Sequence, residues 1–120
     1  MSDPIRFRVR PVYHGRELLI EVMDDHRGEG FPNVAAILRE VLHASQMPHP
    51  DKLDDREVAF HDRYFSFWIY AGGNYEIDDD IWGLFITANE NNEGVIDDIE
   101  RALTSTGRFV KEFVDFELFR

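Results

Sequence analysis

Five histidines and 24 acidic residues are the groups in this chain that could do chemistry. His14, His26, His43, His49 and His61 could each bind a metal or carry a proton near neutral pH. No two of them stand four apart, and no His-Glu-x-x-His occurs, so a metal site would need distant residues brought together. Asp24, Asp25 and His26 could work as acid and base, as could His61 with Asp62, or Asp54 with Asp55. Neighbours on a strand point to opposite faces, however, so adjacency alone builds no catalytic pair. Asp78-Asp79-Asp80 invites a calcium loop. Counting from Asp78 puts Trp82 at the fifth position and Asn89 at the twelfth, where a carboxylate is required. No nucleophile elbow, phosphate loop or dinucleotide fingerprint is present, and Gly28-x-Gly30 lacks the third glycine. These groups read as solvated loop residues. No catalytic residue, metal ligand or cofactor is assigned. The three acids at 78–80 read as a strand end, an edge guard or a contact for a basic partner.

Composition bounds the rest. A chain of 120 residues reads as one domain, 1–120, long enough to bury a real core. It contains no cysteine, which excludes a disulfide scaffold, thiolate zinc and thiol nucleophiles and fits a reducing cytoplasm. No apolar run has the length of a membrane span, and the first residues lack the pattern of a signal peptide. The expectation is a soluble cytoplasmic protein with no membrane partner. The net charge of −11 repels nucleic acid and anionic lipid. It serves solubility, or it steers the chain toward a basic protein.

The elements follow from periodicity. Ile5, Phe7 and Val9 alternate with Arg6, Arg8 and Arg10, a half-buried strand with a basic outer row. A turn at Gly15-Arg16 would return the chain through 18–23, with Arg10 facing Glu21, Val9 facing Val22 and Arg6 facing Asp25. Val34, Ile37, Leu38, Val41 and Leu42 form one helical stripe. Pro48 and Pro50 rule out its continuation, and 46–56 reads as a connecting loop. Residues 64–70 are an aromatic strand with Phe65, Phe67 and Ile69 on one face and Tyr64, Ser66, Trp68 and Tyr70 on the other. After Gly72-Gly73 the chain should return through Tyr75-Glu76-Ile77 into 81–88, an uncharged run apolar on both faces and so buried on both. Asn91 or Asn92 caps a second helix with Val95, Ile99, Ala102 and Leu103 inward, Gly107 stops it, and a last strand spans about 109–118.

This order predicts an α+β fold: a mostly antiparallel sheet with two helices, a ferredoxin-like βαββαβ core and an extra N-terminal strand. The first hairpin conflicts with it, because a ferredoxin-like sheet would put the last strand where the first strand pairs. Two helical stripes cover about one sheet face. The aromatic face bearing Tyr64, Trp68, Tyr70 and Trp82 is then either core under a long loop or an open surface for a partner or a second subunit. Trp68, Tyr70 and Trp82, with Asp78, Asp79 and Asp80, are the candidate partner-binding residues, and a homodimer or a held-ready partner face is expected.

The second half, Asp80-Ile81-Trp82-Gly83-Leu84-Phe85, then Asn91-Asn92, a short amphipathic helix and Phe109-Val110-Lys111-Glu112-Phe113-Val114-Asp115-Phe116, resembles the small α+β immunity proteins of bacterial polymorphic toxin systems. The resemblance implies a non-catalytic cytoplasmic protein that binds and neutralises a toxin domain, many of which are basic. The alternative reading is a small ferredoxin-like ligand-binding domain or enzyme using Asp24, His26, His61 and Asp62.

Overall fold

The computed structural model describes residues 4–12, 15–23, 30–47, 65–80 and 83–119. It is an α+β fold with one seven-stranded, mostly antiparallel sheet. The strands are β1 (Ile5–Pro11), β2 (Leu18–Val22), β3 (Ser45–Met47), β4 (Phe65–Tyr70), β5 (Gly73–Asp80), β6 (Gly83–Thr87) and β7 (Phe109–Lys111). The helices are α1 (Val34–Leu42) and α2 (Asn92–Ser105), and a short 3₁₀ helix, Phe116–Phe119, lies near the end of the chain. The sheet order is β3-β4-β5-β6-β2-β1-β7, and only the β1–β7 pair is parallel. The ferredoxin-like order expected from the sequence is therefore not the order seen. The β1–β2 hairpin stays together, and β7 takes the far side of β1.

The hairpin register is two residues from the expected one. Phe7 faces Val22, Arg8 faces Glu21 and Val9 faces Ile20, with pairing extended by Val12 N–H to the Glu17 carbonyl at 2.9 Å. A slip of two preserves the side-chain alternation, so Ile20 and Val22 still join Phe7 and Val9 in the core. The chain expected to return through 75–77 into a strand at 81–88 forms two strands, the antiparallel β5–β6 pair, with Ile77 opposite Ile86. The acids at 78–80 end β5 within that ladder. Ser45–Met47, expected as loop, pairs with β4 as an edge strand. The last strand is three residues long instead of ten or so, because Phe116–Phe119 turns into the 3₁₀ helix.

Both helices lie on one side of the sheet. Phe7, Val9, Ile20, Val22, Leu84, Ile86, Ile77, Tyr75 and Trp68 form the sheet half of the core. Val34 and Leu38 of α1, and Val95, Ile96, Ile99, Ala102 and Leu103 of α2, form the helical half. Asn33 caps α1, its Oδ1 accepting from Ala36 N–H at 3.0 Å. Pro32 precedes that cap and adds no helical donor to be satisfied. The start of α2 is held differently. Asn91 occupies the N-cap with φ 48° and makes no capping bond. Asn92 instead accepts from Leu18 N–H at 2.7 Å and donates from Nδ2 to the Leu18 carbonyl at 2.9 Å and the Ala88 carbonyl at 2.7 Å. One amide thus ties the helix start to β2 and to the exit of β6. Among the described residues, no helix is long and apolar enough to cross a membrane.

Candidate functional site

Strand register defines two rows on the sheet face away from the helices. One runs Met47, Phe67, Glu76, Thr87, Leu19, Arg10. The other runs Phe65, Asp78, Phe85, Glu21, Arg8. In the second row acidic and apolar side chains alternate, and Asp78 stands between Phe65 and Phe85; in the first, Glu76 stands between Phe67 on β4 and Thr87 on β6.

The basic end of this face is locked. Arg8 Nε and Arg10 Nε both donate to Glu21 Oε1, Arg10 at 3.0 Å, and the Arg10 guanidinium lies 6.0 Å over the Phe85 ring. Burial pushes the Glu21 carboxyl up, but the hydrogen bonds and charges of the two arginines outweigh it and hold the group below its usual range. The arginine row is structural, as its cross-strand pairing with Glu21 suggested.

The other end is a groove of about 330 Å³. Met47 and Phe67 form its apolar wall, and Asn74, Glu76, Thr87 and Glu90 supply polar groups. Thr87 Oγ1 donates to Glu76 Oε2 at 3.4 Å, which orients the carboxylate across the strands. Glu76 is half-buried, while Asn74, Asn89 and Glu90 are exposed at the rim. A partly desolvated carboxylate beside an aromatic wall suits the head and stem of a lysine or arginine side chain. The sequence reading did not single out Met47, Glu76 or Glu90. The signal was present in the period of two, which sets Phe67 opposite Glu76 once β4 and β5 pair.

The expected partner-binding residues fall in several places. Trp68 is 5% exposed on the helix-covered face, stacked on Tyr75 with ring centroids 6.4 Å apart, and its Nε1 donates to Ser66 Oγ at 2.8 Å. Tyr70 is on the same face and donates to Asp98 Oδ2 of α2 at 2.6 Å. The expectation that these two lie at the centre of an open aromatic face is corrected, because Trp68 is buried in the core that the sheet shares with the helices and Tyr70 is bonded to α2. Desolvation, then the Asp98 hydrogen bond and charge, pushes the Tyr70 hydroxyl well above its usual range. Desolvation alone does the same to Tyr75, whose buried hydroxyl has no hydrogen-bond partner. Asp78 stands on the open face between Phe65 and Phe85, Asp79 stands opposite Leu84 on the helix side, and Asp80 pairs with Gly83 in the ladder. Trp82 lies outside the described residues, as do Asp24, Asp25, His26, Asp54, Asp55, His61 and Asp62. His43 is described. It ends α1 in the left-handed conformation with φ 57°. Among the described residues, no three His, Asp or Glu side chains gather as a metal would require.

No protein-family model matches the chain, and no curated protein or solved structure matches it.

Proposed function

We propose that this chain is a non-catalytic protein-binding module, an immunity-type inhibitor that meets a basic toxin domain through the sheet face opposite its helices. The observation that carries the reading is the groove at Met47, Phe67, Glu76 and Glu90, which joins an apolar wall to two carboxylates, one half-buried and one at the rim. Its chemistry complements a cationic side chain, and the net charge of −11 draws a basic partner toward it. Carboxylates elsewhere hold structural posts: Glu21 on Arg8 and Arg10, Asp98 on Tyr70 and Arg101, and Glu100 on Lys111. Glu76 has a single weak hydroxyl contact and is the group available to a partner. In the cytoplasm such a protein would act by occupying its partner's surface.

The test is a pull-down using the protein encoded by the neighbouring reading frame as bait, followed by titration at two salt concentrations. Binding should weaken with salt, and Glu76→Lys should weaken it by about tenfold or more. A neighbouring protein that does not bind, or binding indifferent to Glu76→Lys, would refute the reading.

A further inference from the structure

Four of the seven large hydrophobic residues exposed among the described residues lie on β7 or just after it: Val110 at 44%, Phe113 at 84%, Phe116 at 38% and Leu118 at 75%. The same strand is an edge of the sheet, with β1 its sole neighbour among the described strands. Parallel pairing sends Ile5 N–H to the Arg108 carbonyl and Glu112 N–H to the Phe7 carbonyl, both at 2.8 Å. That pattern turns the backbone groups of Val110 toward β1. The N–H and C=O of Phe109 and Lys111 therefore point outward, where no described strand meets them.

Edges of this kind are usually guarded by an outward lysine. Lys111 does not serve so, because its Nζ is turned back to Glu100 Oε1 of α2 at 2.7 Å. The segment Arg108-Phe109-Val110-Lys111-Glu112 is instead complementary to itself. About a two-fold axis at Val110, antiparallel pairing sets Arg108 against Glu112 of a second copy, and Glu112 against its Arg108. Both side chains are exposed and lie on the Val110 side of the strand; Glu112 also stands 3.6 Å from Arg6 Nη1 of its own chain, an exposed pair that leaves its second oxygen open to Arg108 of the other copy. Phe109 then faces the second copy's Lys111, and the outward N–H and C=O of each fall in register as hydrogen-bonded pairs. Centring the axis on Lys111 would oppose two lysines, which like-charge repulsion disfavours.

We propose that β7 is the site of an isologous homodimer, in which two copies pair antiparallel about Val110 and join their sheets into one. The surface is distinct from the acidic groove, so this inference stands or falls separately from the proposed inhibitor function.

The absence of native cysteine makes a direct test available. Val110 would meet its own copy as a non-hydrogen-bonded pair, with Cα atoms about 4.5 Å apart, inside the range a disulfide spans. Val110→Cys should form a covalent dimer under mild oxidation, while Arg108→Cys, whose copies are far apart in this register, should remain monomeric. Sedimentation of the unmodified chain from micromolar to near-millimolar concentration should show a monomer–dimer equilibrium. Arg108→Glu should weaken it by about tenfold, since two opposite-charge pairs become two like-charge pairs. Adding Glu112→Arg to that variant should restore association. A strict monomer throughout, or Val110→Cys cross-linking no faster than Arg108→Cys, overturns the proposal.

Discussion

Asn92→Ala should be among the most damaging single changes on the surface-facing part of the fold. Its amide makes three hydrogen bonds, one from Leu18 N–H, one to the Leu18 carbonyl and one to the Ala88 carbonyl, all between 2.7 and 2.9 Å. At about 1 kcal/mol each they amount to about 3 kcal/mol. The site is half-buried, so water recovers part of the loss, and alanine improves helix propensity by about 0.6 kcal/mol. The net cost is about 2 kcal/mol, a fall in Tm of about 8 °C for a domain of this size. Thermal unfolding followed by circular dichroism measures it. Asn92→Asp sharpens the test. The carboxylate keeps the bond from Leu18 N–H but turns an oxygen toward two carbonyl oxygens, so its folded pKa is raised. Such a group favours the folded state below its unfolded pKa of about 3.9 and loses that contribution as pH rises through the folded value. The gap between Asn92→Asp and the unaltered protein should therefore widen as pH increases. Asn91→Gly is the control, since it keeps the left-handed backbone at φ 48° and removes only a 3.2 Å bond to the Gly72 carbonyl. If Asn92→Ala shifts Tm no more than Asn91→Gly, or if the Asn92→Asp gap ignores pH, the amide tie is not what holds α2 to β2.

Three further outcomes are expected. Glu21→Gln should cost about 1–2 kcal/mol at neutral pH by removing the charge that Arg8 and Arg10 share. Glu21 is held below its usual value of 4.5, so its contribution is present above that pH and lost as pH falls through the lowered folded value, and urea titrations should show the two proteins converging in acid. Tyr75→Phe removes a buried hydroxyl without a partner and should raise Tm by about 4 °C, whereas Tyr70→Phe loses the bond to Asp98 and should lower it by a similar amount; equal signs for the two would contradict the assignment. Gly73→Ala should destabilise by about 1–2 kcal/mol in chemical denaturation, because Gly73 has φ 144° and an added Cβ would lie 3.0 Å from Val95 Cγ2.

Much of the fold was legible residue by residue. The stripe at Val34 and Leu38, the stripe at Val95, Ile99, Ala102 and Leu103, and the alternation through Phe7 and Val9 name core residues directly, because one period matches a helix face and the other a strand face. The split of Phe65, Phe67 and Ile69 from Ser66, Trp68 and Tyr70 was legible for the same reason. The hairpin was legible, but its register was not. A two-residue slip leaves every side chain on its face, so hydrophobic pattern could not tell Arg8 from Arg10 as the residue opposite Glu21. The Asn92 tie was hidden because its partners, Leu18 and Ala88, offer only backbone groups, which every residue carries.

Which face of the sheet would be covered was decided by tertiary structure alone. Both faces of β4 and β6 carry large apolar residues, so composition favoured neither. Strand order and direction settle it. α2 links β6 to β7, two parallel strands, and α1 links β2 to β3, also mutually parallel but opposite in direction to the first two. The two connections also run toward opposite edges of the sheet. Reversing direction and edge together is a half-turn about the sheet normal, which leaves handedness and face unchanged. Since such crossovers take one hand, both helices must land on the same side. Trp68 is buried and Tyr70 half-buried on the helix side for that reason, and Phe67, Glu76 and Thr87 are left on the face where the groove forms.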